Sequence, residues 1–366
     1  MEFKIETSKF ADRLSLMQGI AERRTTMPVL SHVLMEAKDE GLKLSATDLE
    51  TSIRAECTAE VAKVGAISVP ARKLYEIVRE LPEGEAEVKE IGNHWIEIRS
   101  KSVQFRLAGL PHEDFPTIAE PEGEELFSVP SSLFEDMVNK TIFAVSPDDM
   151  RRNLAGIYFE RPQEHTLRLV ATDGHRLSLV EKHTEDRVRV GHGVVIPKKG
   201  VLELRKLFKL SDVFHTGCGR SEFIAKGEGI TMLIRLIDAE FPDYKQVIPR
   251  ETKKIVKVNR QNFLRALRRV SLLSADKIKS VNISVEKGNM TLASVSPELG
   301  EAKEEVGVDF SGEHVEIGVN ATYVMDVLDV IDGDEVEFGI NDELSPAVLM
   351  GSGDRSYISI IMPMRI

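Results

Sequence analysis

Three landmarks recur along this chain at one long period, and that recurrence limits the folds open to it. The first is an apolar stretch that runs into a polar turn: LSATDLE at 44–50, LVATDGH at 169–175 and, more weakly, LASVSPE at 292–298. The second is an apolar run leading into an amphipathic helix: VPARKLYEIVREL from Val69, IPKKGVLELRKLF from Ile196 and VNATYVMDVLDVI from Val319. The third is GLPHEDFPTI around Phe115, DAEFPDYKQVI around Phe241 and IIMPMRI at the C-terminus. The step is 127 residues from Val69 to Ile196, 123 from Ile196 to Val319 and 121 from Pro242 to Pro363, against 122 for a third of the 366-residue chain. Self-similarity at a fixed period marks one supersecondary unit used repeatedly. Three tandem units are therefore expected, at 1–122, 123–249 and 250–366, with boundaries in the polar segments AEPEGEEL and PRETKK.

Each unit opens with a helical pattern. Residues 9–22 space Phe10, Leu14, Met17 and Ile20 along one face, with Ser8 in the N-cap place. Residues 132–145 do so with Leu133, Met137, Thr141 and Ile142, and residues 262–273 with Phe263, Leu267 and Val270. Between the helices lie short alternating stretches, WIEIRS, VQFRLAG, LRLVAT, TMLIRLI, VNISVEK and YISIIMP, which read as half-buried antiparallel strands. One unit thus holds two helices and about eight strands, the helices packed on one sheet face. The fold class is α+β, not a doubly wound parallel sheet.

Composition excludes several classes. With 42% hydrophobic and 30% charged residues the chain is globular rather than disordered. No apolar run reaches the ~18 residues of a membrane span. The opening MEFKIETSKF lacks the apolar core of a secretory signal. Cys57 and Cys218, far apart and only two, suit a reducing cytoplasm better than a disulfide framework. No Cys/His cluster has zinc spacing. A net charge of −12 argues on its face against a nucleic-acid binder. Yet residues 304–354 hold fourteen Asp and Glu and no Lys or Arg, leaving 48 basic against 46 acidic residues elsewhere. Charge is segregated, so the whole-chain value says little about any one face.

ATDGHRLSLV, LIDAEFPDYKQVIP, VPARKLYEIVRELPEG and the terminal MPMRI resemble the bacterial sliding clamps, the beta subunits of DNA polymerase III. The resemblance spans the whole chain, in the order and spacing of all three repeats. It implies three copies of the DNA-clamp fold in a head-to-tail homodimer, a closed ring of six similar domains around duplex DNA. It also implies a non-enzymatic processivity factor that tethers the replicative polymerase and docks other replication and repair proteins through short peptide motifs. No cofactor is implied for the clamp itself, and an ATP-driven clamp loader is implied to open it, since the chain has no nucleotide motif of its own. Helices would line the hole, where sequence-independent phosphate contacts position the duplex. The basic residues assigned to that role are Arg24, Arg72, Lys73, Lys198, Lys199 and Arg205. Arg151 and Arg152, in a turn after SPDDM, join them by matched position. Family members often carry aromatics after the first of that pair; Arg152 and Asn153 stand there, which favours phosphate contact over stacking. The second helix of repeat three carries only acids and is expected to meet DNA poorly or to face another partner.

Asp173 and His175 in TDGHR invite an acid–base reading, and a hydrolase is the rival class. No G-x-S-x-G, H-E-x-x-H or Walker motif accompanies them. A scaffold that binds proteins but not DNA is a third reading. By resemblance the TDGHR turn lines a partner-peptide pocket between repeats two and three. The matching residues are Leu154, Thr172, Gly174, His175, Arg176, Leu177, Pro242, Val247, Asn320, Tyr323, Met362, Pro363, Met364 and Arg365. Gln246 replaces an arginine common in the family. Met362 and Met364 suit a pocket that accepts varied peptides, and equally finish the core face of the last strand. Phe105, Leu272 and Leu273 match dimer-interface positions, where core packing is the competing reading. The glycine-rich GCGRS and GSGDRS lack a phosphate-loop lysine and read as hairpin turns.

Overall fold

The computed structural model describes residues 1–21, 26–119, 125–148, 150–274 and 279–365. The first repeat runs β1 (Glu2–Glu6), α1 (Thr7–Ile20), β2 (His32–Lys38), β3 (Gly41–Thr47), β4 (Thr51–Cys57), β5 (Glu60–Lys63), β6 (Gly65–Pro70), α2 (Ala71–Arg79), β7 (Glu85–Gly92), β8 (Trp95–Ser100) and β9 (Val103–Ala108). The second runs β10 (Phe127–Pro130), α3 (Ser131–Asn139), β11 (Gly156–Gln163), β12 (Thr166–Thr172), β13 (Arg176–His183), β14 (Val194–Pro197), α4 (Lys198–Phe208), β15 (Val213–Cys218), β16 (Glu222–Gly227) and β17 (Ile230–Arg235). The third runs β18 (Lys254–Asn259), α5 (Arg260–Val270), β19 (Ser280–Glu286), β20 (Asn289–Ser296), β21 (Gly300–Asp309), β22 (Val315–Asn320), α6 (Ala321–Val330), β23 (Glu335–Ile340), β24 (Ala347–Gly351) and β25 (Tyr357–Ile361). Two helices per repeat and antiparallel strands match the expected α+β unit, and GCGRS and GSGDRS are the hairpin turns between β15 and β16 and between β24 and β25.

The helix faces in repeats one and three are those the spacing predicts; in repeat two α3 buries Phe134, Met137 and Val138, while the expected Leu133 and Ile142 are half-buried and Thr141 and Ile142 lie beyond the helix end. Phe10, Leu14, Met17 and Ile20 of α1 are buried, as are Phe263, Leu267 and Val270 of α5. Each such side chain contributes about 1.5–3 kcal/mol of transfer free energy. The helix ends differ from expectation. Ser8 is not an N-cap: α1 starts at Thr7, and the Ser8 hydroxyl donates to Glu6 Oε1 at 2.9 Å. β1 runs straight into the helix, and the carbonyl of Gly84 accepts from Thr7 N at 2.8 Å, so a backbone partner does a cap's work. α3 stops at Asn139 rather than 145, because Thr141 turns its hydroxyl back to the carbonyl of Met137 at 2.8 Å and the chain tightens into a 3₁₀ turn, Ile142–Ala144. α5 likewise ends at Val270, and Ser271–Leu273 is 3₁₀.

Strand pairing does not stop at the repeats. One sheet has the order β5-β1-β7-β8-β9; a second, β10-β15-β16-β17-β4-β3-β2-β6, joins repeat two to repeat one through β17 and β4, where Ile230 faces Ala55 and Ile234 faces Thr51. The third, β14-β11-β12-β13-β25-β24-β23-β18-β21-β20-β19-β22, joins repeat three to repeat two, where Tyr357 faces Val180 and Ile361 faces Arg176. The chain accordingly forms two compact units that cut across repeat two. One holds Met1–Ser132 and Lys199–Leu236, the other Leu133–Lys198 and Ile237–Ile366. The first buries α1, α2 and most of α4 against its sheets; the second buries α5 and α6.

Candidate functional site

The recurring ATD string is a hydrogen-bonded turn. In repeat one Thr47 Oγ1 accepts from Leu49 N at 3.0 Å, and Asp48 Oδ1 accepts from Glu50 N at 2.9 Å and Thr51 N at 2.6 Å. In repeat two Thr172 Oγ1 accepts from Gly174 N at 3.1 Å, and Asp173 Oδ1 accepts from His175 N at 2.9 Å and Arg176 N at 3.0 Å. Short side chains that satisfy the amides two residues on set such turns. The residue after the aspartate has φ near +75° at Leu49 and +87° at Gly174, and glycine adopts that geometry without strain. Asp173 Oδ2 meanwhile takes Arg176 Nε at 3.1 Å. Both carboxylate oxygens of the proposed acid–base pair are thus occupied in holding the turn.

Beside this turn, in the second unit, lies a cleft of about 290 Å³. Leu154, Thr172, Gly174, Arg176, Leu177, Pro242, Val247 and Met362 line it, as expected, together with Asn153, Asp243, Tyr244 and Ile360, which sequence reasoning missed. Ile360 had a signal, since it stands two residues before Met362 on the same strand face. Tyr244 had none beyond an aromatic in a polar loop. Its ring is buried; its hydroxyl donates to Glu160 Oε1 at 2.5 Å and accepts from Arg168 Nη1 at 2.7 Å. Burial, and then the bond to Glu160, push its phenol well above the ordinary tyrosine range, so it stays a neutral donor. Gln246 does not replace an arginine's charge at the rim; its amide donates to Asp243 Oδ2 at 3.0 Å.

Six of the expected pocket residues do not line this cleft. His175 touches the last strand through its carbonyl, which accepts from Met362 N at 2.9 Å. Asn320 is the N-cap of α6, its side chain accepting from Thr322 N at 2.9 Å. Tyr323 lies under the Arg176 guanidinium, 4.3 Å from its ring centre. Pro363 is half-buried beyond the strand end. Met364 and Arg365 line a separate cavity of about 510 Å³ with Asn282, Glu316, Glu343 and Leu344. The split falls past the end of the last strand. β25 stops at Ile361 and Met362 N still bonds the TDGHR turn; two residues on, Met364 N donates to the carbonyl of Gly318 on β22 at 2.8 Å, so the segment has moved to another part of the sheet.

The acids of α6 have partners inside the second unit. Asp326 takes Arg176 Nη1 at 2.5 Å, Asp329 takes Arg268 at 3.0 Å, and Asp332 just beyond the helix takes the buried Lys140 at 2.8 Å.

Of the expected DNA-contacting residues, Arg24 lies outside the described residues. Arg72 and Lys73 stand exposed in the first turn of α2 and share Glu76, at 3.1 and 2.5 Å. Arg152 is exposed and Arg151 half-exposed; the latter bonds Asp148 at 3.2 Å and donates to the carbonyl of Asp173 at 3.0 Å, bracing the TDGH turn. Lys198 opens α4, half-buried, and Arg205 is half-buried in its last turn. Lys199 is 2.5 Å from the buried Asp48 carboxylate. Phe105 on β9 is 37% exposed and Leu272 is 76% exposed, which is far for a core residue; Leu273 is half-buried.

Family models described as the N-terminal, central and C-terminal domains of the DNA polymerase III beta subunit match residues 1–119, 128–243 and 245–365. The beta sliding clamp of Pseudomonas aeruginosa is 34% identical over 368 residues, covering all of both chains, and that of Caulobacter vibrioides 35% over 372 residues with the same coverage. A crystal structure of the Pseudomonas aeruginosa DNA polymerase III subunit beta superposes over the whole of both chains with a TM-score of 0.95 at 34% identity. This chain belongs to the bacterial beta sliding clamps. Its three-domain architecture is theirs, and its function is that of the DNA polymerase III processivity clamp in DNA replication. Among the described residues no helix is long and apolar enough to cross a membrane.

Proposed function

We propose that two copies of this chain close head to tail into a ring around duplex DNA, and that the cleft beside the TDGHR turn docks short peptides of the polymerase, the clamp loader and other partners. The observation that carries the ring is strand register. Each repeat lends its last strand to the sheet of the repeat before it: β17 to β4, and β25 to β13. Among the described residues, the last strand of repeat one, β9, ends its sheet with no second neighbour, and β21, which stands in repeat three where β4 and β13 stand in theirs, pairs over Gly300–Gly307 with β20 alone. The bridges Ser68–Leu110, Val195–Ile237 and Gly318–Met364 make Leu107, Ile234 and Ile361 equivalent. The first-landmark alignment makes Thr47, Thr172 and Val295 equivalent, and their ladder partners are Ser52, Leu177 and Glu301. Ser52 faces Leu233 and Leu177 faces Ile360, so the same register sets Arg106 against Glu301 of a second copy and Phe105 against its Ala302. Opposite charges fall opposite each other, and two open edges are covered at once.

The ring needs no sequence-specific grip, because a closed loop stays on DNA by topology while exposed cations contact phosphates weakly. The cleft offers apolar walls with a few polar groups at its rim, the build of a peptide site. Burying two aliphatic side chains there supplies about 3–6 kcal/mol before ordering costs, which suits exchangeable contacts. The platform is non-catalytic and takes no cofactor. Light scattering tests the ring. The parent should show twice the 40.9 kDa chain mass. Arg106→Glu and Leu273→Asp should each give monomers, and Arg106→Glu with Glu301→Arg should recover the dimer. Dimers that persist in both single variants would remove this interface. Truncation after Ile361 tests the cleft: a folded dimer that still binds a polymerase peptide with unchanged affinity would sink the pocket assignment.

A further inference from the structure

The two walls of the cleft are held differently. Leu177 and Ile360 face each other in the β13–β25 ladder, so main-chain hydrogen bonds fix that side. The opposite wall, Pro242, Tyr244 and Val247, belongs to the strap 238–248, which joins no strand ladder. Its described main-chain bonds are local: Gln246 N donates to the carbonyl of Asp243 inside the strap, and Ala239 N to that of Ile237 at its start. Side chains tie it to the sheet. Phe241 stacks on Tyr158 of β11 with centroids 4.7 Å apart and planes 5° from parallel. Tyr244 puts its hydroxyl between Arg168 of β12 and Glu160 of β11, which pair with each other at 2.7 Å, and Arg168 also donates to Glu181. The Arg168 and Glu160 side chains are 16% and 17% exposed, and neither lines the cleft.

We infer that Arg168 and Glu160 are positioning residues for partner docking: acting through the Tyr244 hydroxyl, they hold the strap at the separation from β25 that a peptide side chain fills. The inference rests on the reading of the cleft as a peptide-docking site. The physical ground is that a hydrogen bond between a phenol and a charged pair is strong and directional where water is largely excluded. A wall fixed before the peptide arrives removes part of the ordering cost of binding. With the hydroxyl released, only apolar packing anchors the strap, the Phe241 stack together with Tyr244, Val247 and Ile248 against the cluster of Val170, Leu177 and Ile360, and without a directional bond Val247 and Tyr244 drift relative to Leu177 and Ile360. Conserving the ring in Tyr244→Phe leaves the apolar lining intact, so any loss reports position and not contact area.

The test uses the full-length dimer with Tyr244→Phe, Arg168→Met, both together, and Arg168→Lys. Two readouts are taken: fluorescence polarisation with a labelled peptide carrying a glutamine and two spaced leucines, and amide hydrogen exchange over 238–248. Tyr244→Phe and Arg168→Met should each weaken the peptide about five- to twentyfold, the size of one or two lost hydrogen bonds. The double variant should be no weaker than the worse single, since both act through one contact. Arg168→Lys, which keeps a charged donor, should recover part of the loss, and exchange should quicken in the strap while the β11–β13 ladder stays protected. Affinity and strap exchange unchanged in both single variants overturn the positioning role and leave the docking reading standing. Faster exchange spread evenly over the β11–β13 ladder also overturns it, because that is general destabilisation. A peptide that fails to bind the parent overturns the docking reading and this inference with it.

Discussion

Lys140 is 2% exposed, yet its ammonium sits 2.9 Å from Asp136 and 2.8 Å from Asp332. The two carboxylates are unlike it: Asp136 is 36% and Asp332 84% exposed. This asymmetry sets the outcome of mutation. Lys140→Met leaves two carboxylates that water can reach, so it should cost only about 1–2 kcal/mol, the worth of its charge-assisted bonds. Asp136→Ala with Asp332→Ala strands a buried ammonium and should cost about 3–5 kcal/mol. Urea unfolding of the two variants checks the order, and a larger loss in Lys140→Met would refute it. Burial alone would pull the Lys140 pKa down, but the hydrogen bonds to Asp332 and Asp136 outweigh it and the net shift is upward. A group raised in the folded state contributes stability that is complete below its unfolded pKa and is lost as pH rises through the folded one. Stability of the parent should therefore fall on the alkaline side of the ordinary lysine value, and Lys140→Met should flatten that limb.

Four of the helices begin in two ways. α5 and α6 carry side-chain caps, Asn259 accepting from Asn262 N at 3.0 Å and Asn320 from Thr322 N at 2.9 Å. α1 and α2, which like α5 and α6 follow a strand without a break, have no side-chain cap bond. Asn259→Ala should therefore lower stability by about 1 kcal/mol, whereas Ser8→Ala should stay within about 0.5 kcal/mol of the parent. Denaturant midpoints of the two variants decide it, and equal losses would mean that Ser8 caps α1 after all. The capping role of Asn320 also bears on docking: Asn320→Ala should act on peptide affinity only through the start of α6, and Asn320→Asp, which keeps the cap, should restore it.

At the scale of the whole molecule the expected behaviour is topological. An ordinary binder making six to ten phosphate contacts loses about 10³–10⁵ in affinity between roughly 50 and 200 mM salt. A closed ring loaded on a nicked circle should survive that change, because in the proposed ring leaving would require a β9–β21 junction between the two copies to open. Cutting the circle should release it at once, and retention that ignores DNA ends would overturn the ring. Removing charge together at Arg72, Lys73, Arg152 and Lys198 should slow loading equally on any sequence, since phosphate contacts carry no base information. A sequence-dependent loading defect would argue for base contacts instead.

What the sequence determined by itself is what short-range physics writes into neighbouring residues. The repeat, the apolar faces of α1 and α5 and the ATD turn were all legible, because a 3.6-residue stripe or an aspartate bonding the amides two and three residues on needs no distant partner. Helix ends were less so: a backbone carbonyl at Gly84 stands in for the cap at Thr7, and no local pattern at Ser8 records it. The resemblance supplied most of the cleft, and it grouped Met362 with Met364 although the chain, past the end of β25, carries them to different cavities. Only the tertiary structure decided that β17 joins β4, that repeat two is divided between two compact units, and that Tyr244 faces the cleft. Those facts rest on pairings such as Ala55 with Ile230 and on the charges of Arg168 and Glu160 around a loop tyrosine. A contact between residues far apart in the chain is chosen by which surfaces remain open once each repeat has folded, and that is a property of shape and burial rather than of any local run of residues.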